Sequence, residues 1–153
     1  MVFDLATVLP QLLPRAIEWA EVRSAEVLGK GVVLPPDRLA LARAVGVVQP
    51  EKIRVSLVDR LPLPEDPELR EVAIQSGLLG PDMVGITFGY AIYMCKGHAT
   101  NRLLSHECRH VYQYEVAGSI ASFLPLYLQQ IVSHGYKQAP FEVDARKYER
   151  NVP

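Results

Sequence analysis

The chain has 153 residues, 49% of them apolar and 22% charged, with a formal net charge of -1. That length supports one hydrophobic core rather than two, and the composition excludes an intrinsically disordered chain. The near-balanced charge argues against a broad nucleic-acid surface, which needs a concentrated basic field.

The first ten residues lack a basic leader and soon reach Pro10 and Pro14, so they do not read as a signal peptide. No stretch is long and apolar enough to span a bilayer, so no membrane association is expected and the cytoplasm is the default location. Cys95 and Cys108 cannot form a disulfide framework, no CxxC pair is present, and both read as buried free thiols.

In chain order, apolar residues from Leu12 to Leu28 recur at helical spacing between charged ones, predicting a helix from Pro10 that Gly29 and Gly31 stop. Pro35-Pro36-Asp37 opens a shorter helix ended by Gly46. Residues 52–59 alternate in part and predict a strand, and residues 68–79 predict a helix that Gly77 limits. Residues 84–95 are rich in β-formers around Gly89 and predict two short strands joined by a tight turn or bulge. An exposed strand edge there could bind an extended peptide through main-chain hydrogen bonds.

Thr100 is the expected cap of a helix running to about Ala117, where Gly118 interrupts it. A long apolar segment follows, with Pro125 able to kink or divide it, and it ends near His134-Gly135. Pro140 then opens a C-terminal helix carrying Glu142 and Asp144. The whole chain, residues 1–153, reads as a single domain in which 1–80 support and 81–153 carry the chemistry.

That chemistry centres on His106-Glu107-Cys108-Arg109-His110. Residues four apart on a helix share a face, so two imidazoles can hold one Zn²⁺ while Glu107 reaches a water on the metal. A catalytic zinc usually takes a third protein ligand. Glu142 is the preferred donor and Asp144 the alternative, because spacing alone does not orient the second helix.

With its downstream segments Gly135-Tyr136 and Pro140-Phe141-Glu142-Val143-Asp144-Ala145, the motif-bearing helix resembles the gluzincin metallopeptidases, and more narrowly the minimal zincin-like proteins of bacteria. The resemblance covers about the C-terminal half. It implies a mainly helical α+β fold, a zincin-like core whose small antiparallel sheet is packed by the active-site helix. It also implies zinc on His106, His110 and Glu142, with Glu107 as general base, and a peptide or protein as substrate. In one respect the chain departs from the fuller pattern: four residues after Glu142, where an Asp or Asn often orients the first histidine, stands Arg146.

Hydrolysis also needs a donor for the developing oxyanion. Tyr136, His134 and Tyr112 suit by chemistry, and Tyr136 is favoured by its place ahead of Glu142. Each residue also has a plainer reading. His98 belongs to a loop or cap, His134 to a helix-ending turn, and Tyr136 to an amphipathic packed surface. Arg109 and Arg146 are expected as solvated or paired charges, and most of Tyr90, Tyr93, Tyr112, Tyr114 and Tyr127 as core cover with hydroxyls near water. The strip of Phe123, Leu124, Leu126 and Leu128 reads as core or a helix-pair interface, and its exposure would favour a homodimer. A catalytically weak zinc-stabilised binding module is the alternative to a peptidase.

Overall fold

The computed structural model describes residues 4–150; Met1, Val2 and Phe3, at the head of the segment read for a signal peptide, lie outside the described residues. Asp4 caps the first helix, α1 (Leu5–Lys30), its carboxylate accepting from the Ala6 amide and the Thr7 hydroxyl. The helix therefore begins before Pro10, and Pro10 and Pro14 lie inside it. Each lacks an N–H and removes one rung of the helix. The buried Leu9, Leu12, Ala20 and Val27 hold the helix on the domain regardless.

Then come β1 (Val32–Val33), α2 (Pro36–Ala44), β2 (Arg54–Val58), α3 (Pro67–Gln75), β3 (Gly85–Phe88), β4 (Ala91–Cys95), α4 (Asn101–Ala117), α5 (Ile120–His134) and α6 (Pro140–Lys147). A short 3-10 turn at Pro50–Lys52 precedes β2. The strands form one sheet in the order β1-β2-β4-β3. The antiparallel sheet expected from the family resemblance is corrected here: the outer pairs are antiparallel, but β2 and β4 at the centre run parallel, so the sheet is mixed. The cause lies in the connections. β3 and β4 are a hairpin turning at Gly89, whose φ of +67° suits a residue without a Cβ. From β2 the chain passes through α3 into β3, which runs opposite to β2, and the hairpin reverses it again, so that β4 lies beside β2 in the same direction.

Because β4 is central it is buried along its whole length, and its side chains alternate between two cores. Ala91 and Tyr93 join the cluster formed with α1 and α5, whereas Ile92 and Met94 join the one formed with α2 and α4. The centre of the sheet is thus covered on both faces, which suits the largely apolar β-formers of residues 91–95. Cys95 and Cys108 are buried free thiols, as expected.

Thr100 caps α4 as anticipated, accepting from the Leu103 amide at 3.1 Å, and Gly118 ends it at a φ of +98°. α5 follows at an angle of 116° to α4 and continues through Pro125 without dividing. This bend carries α5 back across α4. Stacked rings then lock the three C-terminal helices together: Tyr114 lies 3.9 Å from Phe123, and Phe123 lies 4.9 Å from Phe141. Since Phe141 immediately precedes Glu142, this stack sets where the acidic side chain projects. Phe123, Leu124 and Leu128 are buried within the chain, whereas Leu126 is exposed. Among the described residues no single helix is long and apolar enough to cross a membrane.

Candidate metal centre

The spacing of His106 and His110 on α4 places their rings 5.0 Å apart, both turned towards α6. Glu142, in the first turn of α6, lies between them. Its Oε1 is 3.1 Å from His106 Nε2 and its Oε2 is 3.0 Å from His110 Nε2. The three potential ligand atoms lie within 4.8 Å of one another, and Glu142 is only 2% exposed. Asp144, the alternative third donor, is elsewhere: it receives hydrogen bonds from Arg109 and Gln113.

The outward nitrogens define how the imidazoles are held. His106 Nδ1 donates to Glu149 Oε2 at 2.8 Å, since a carboxylate can only accept. His110 Nδ1 is 2.8 Å from Gln113 Oε1, and the amide orientation of Gln113 follows from its Nε2, which donates to the Phe141 carbonyl and to Asp144. Both Nδ1 atoms are therefore donors, and both Nε2 atoms converge on the carboxylate.

This arrangement fits a metal on two grounds. Without one, both Nε2 atoms must carry protons to bond Glu142, so that two imidazolium charges crowd one carboxylate. Burial works against protonation of His110, yet Glu142's charge and hydrogen bond push it up to about 9. Burial opposes it at His106 as well, and Glu142 and Glu107 again prevail and raise it. Burial alone would raise Glu142, but the charge of His110 and hydrogen bonds from both histidines and Tyr127 hold it far below the usual carboxylate range. A divalent cation would replace the two protons with one ion. Secondly, ligands at about 2.0–2.2 Å from a tetrahedral ion lie roughly 3.4 Å from each other, close to the 3.1 and 3.0 Å between the two histidines and the carboxylate.

Glu107 is next to this group but is not part of it. It is 3% exposed, and Thr87 Oγ1 donates to its Oε1 at 2.8 Å. Burial raises its pKa, although the histidine charges and the Thr87 bond oppose this. The strand β3 passes so close that a Cβ on Gly85 would lie 3.1 Å from Glu107 Oε2. Tyr136 lines the same pocket as Glu107, His110 and Glu142, and its hydroxyl is raised by burial and by the charges of Glu142 and Glu107.

The other expected residues lie apart. His98 and His134 are exposed, in a loop and at the end of α5 respectively. Tyr112 stacks on Arg109, whose guanidinium is 4.1 Å from that ring and 3.6 Å from Tyr148 while also bonding Asp144 and the Val45 carbonyl. Arg109 is thus a rivet between α4, α6 and the end of α2. Arg146 bonds the Lys137 carbonyl, and the orienting role missing at that position is filled by Glu149 beyond the end of α6.

Four residues that support the site had no role there in the sequence reading: Thr87, Gln113, Tyr127 and Glu149. Tyr127 donates to Glu142 Oε2 at 2.7 Å. The expectation that the tyrosine hydroxyls sit near water fails for Tyr114 and Tyr127, whose buried hydroxyls bond the Thr87 carbonyl and Glu142. Only Gln113 carried a local signal, standing one helical turn after His110.

No family model matches the chain, and no curated protein or solved structure matches it. The class that fold and site define is a mainly helical α+β protein with a mixed four-stranded sheet and a buried His-His-Glu group able to hold a metal ion.

Proposed function

We propose that the chain is a zinc-dependent metallopeptidase, with zinc held by His106, His110 and Glu142. The observation that carries this reading is the position of Glu107, which shares a pocket with His110 and Glu142 yet is kept out of the ligand group by its bond from Thr87. A purely structural metal site does not require a buried carboxylate that is neither a ligand nor bonded to one.

Zinc bound there supplies a Lewis acid for a scissile carbonyl and lowers the pKa of water at the site. Glu107 accepts a proton from the attacking water and delivers it to the departing amine. Thr87 orients Glu107, and the absence of a side chain at Gly85 leaves room for its outer oxygen. Tyr136 serves as the donor to the oxyanion of the tetrahedral state. Glu149 and Gln113 fix the ring orientation of the two histidines, and Tyr127 that of Glu142. An amide in an extended chain is the preferred substrate because β3, at the end of the sheet order, lies directly against α4.

A zinc-stabilised binding module is the second reading, favoured by the depth of the group: His110 is 7% exposed and Glu107 3%. The Glu107→Gln substitution separates the two. Zinc-loaded wild type and variant are incubated with a mixed peptide library and the products read by mass spectrometry. In the peptidase, cleavage falls by about 10²–10⁴ while zinc content is unchanged. Cleavage that is absent from the zinc-loaded wild type, or indifferent to Glu107→Gln, rejects the peptidase.

A further inference from the structure

A pocket of about 110 Å³ opens beside the metal group, and its far walls come from the N-terminal portion of the chain. α1 contributes Leu12, Ala16 and Trp19, and α3 contributes Val72 and Ala73, with Met83 from the segment before β3. At the other end stand Glu107, His110, Glu142 and Tyr136. Among the described residues no other charged side chain lines it. The pocket therefore has an apolar body and one reactive polar end.

We infer that α1 and α3 form a specificity pocket for one large apolar side chain, of leucine or phenylalanine size, on a peptide held beside β3 with its scissile bond at Glu107. The inference rests on the peptidase reading for its reactive end. The volume is on the scale of an apolar cavity of roughly 150 Å³ that takes up a benzene-sized group. A charged side chain placed there would be stripped of water with no partner on the α1 and α3 walls, which disfavours acidic and basic residues. The occupant is a peptide side chain rather than a free hydrocarbon because Gly85 and Ile86 of β3 also line the pocket, and β3 is an edge strand.

Trp19 is the chain's only tryptophan and lies in the pocket wall, so its fluorescence reports occupancy without any turnover. The test uses the full zinc-loaded chain carrying Glu107→Gln, titrated with blocked glycine pentapeptide amides that bear leucine, phenylalanine, glycine or aspartate at the centre. The expected result is a saturable change in Trp19 emission, with the leucine and phenylalanine peptides binding at least about tenfold more tightly than the glycine one and the aspartate peptide weakest. Ala73→Phe should fill the pocket and abolish the preference with zinc stoichiometry intact, and Ala16→Leu does so from the opposite wall if the first variant does not fold. Equal affinity for leucine and glycine peptides overturns the inference, as does a preference that survives both fillings. Saturable uptake of toluene without peptide binding overturns the peptide occupant. An apolar preference in this titration, with no cleavage by wild type, leaves the pocket standing and removes the peptidase reading; cleavage indifferent to the apolar residue does the reverse.

Discussion

The two walls of the site are built by opposite means. On the α4 and α6 side each ligand has a hydrogen-bonding partner: Glu149 for His106, Gln113 for His110 and Tyr127 for Glu142. On the α1 and α3 side the lining is mostly aliphatic and aromatic, and its shape depends mainly on packing. Directional bonds restrict the orientation of the groups they join, whereas packing tolerates exchange of one apolar residue for another of like volume. The difference teaches that, on the proposed reading, metal binding and substrate choice would be held by separate parts of one domain, and variants should separate them.

The largest effect is expected on the polar wall. His110→Ala removes a ligand outright, and zinc affinity should fall by more than the 10–100-fold that loss of an outer partner typically costs. Elemental analysis after dialysis should find near-zero zinc, with helical circular dichroism retained. Stoichiometric zinc in this variant would mean that the metal sits elsewhere. On the apolar wall, Leu12→Ala should do the converse. Leu12 is 2% exposed, and truncating such a leucine costs about 2–5 kcal/mol. Urea unfolding should register that loss while zinc stoichiometry holds. If Leu12→Ala instead released the metal, the two walls would not be separable.

How much of each wall was legible in the sequence follows the same division. The His106, Glu107 and His110 constellation is a matter of spacing within one helix, and Pro140 marked the start of the helix that carries Glu142. The caps Thr100 and Gly118 and the hairpin at Gly89 were equally local. In contrast, Thr87, Tyr127 and Glu149 reach the centre only because β3, α5 and the chain after α6 fold back onto α4, and no spacing rule encodes that. The parallel pairing of β2 with β4 is long-range in the same sense. The start of α1 had a local signal in Asp4, but Pro10 and Pro14 pointed to a later start; tertiary packing overrides the two lost rungs. The apolar pocket was invisible because its residues are scattered over several elements, each readable as ordinary core.

Within the polar wall, the replacement of the expected acidic position at Arg146 by Glu149 can be tested by graded substitution. Glu149→Leu removes the acceptor from His106 Nδ1 and should weaken zinc by about 10–100-fold, measured by competition with a chromophoric chelator. Glu149→Gln keeps an acceptor without the charge and should recover part of that loss. Equal affinity in wild type and Glu149→Leu would show that the ring of His106 is oriented without this contact. Because Arg102 also bonds Glu149 at 2.7 Å, Arg102→Ala serves as the control that removes only that outer ion pair.

The smallest effect belongs to the clasp that joins the two helices of the apolar wall. Asp66 caps α3, accepting from the amides of Glu68 and Leu69, and it also pairs with Arg15 of α1. Desolvation opposes ionisation of Asp66, but Arg15 and the two amides outweigh it and hold the carboxyl below its ordinary value. A group with a lowered folded-state pKa contributes stability above its unfolded value and loses it as pH falls through the folded one. Asparagine is a comparable cap without the charge, so Asp66→Asn isolates the ionic part. The wild type should be the more stable at pH 7, and the gap should close as pH falls below about 4. Added salt should narrow the gap as well, since the pair is only partly buried. Urea midpoints measured from neutral pH down to about pH 3 decide the point. A gap that persists in acid would assign the contribution to cap geometry rather than to charge, and a change in zinc affinity would join the two walls that the fold keeps apart.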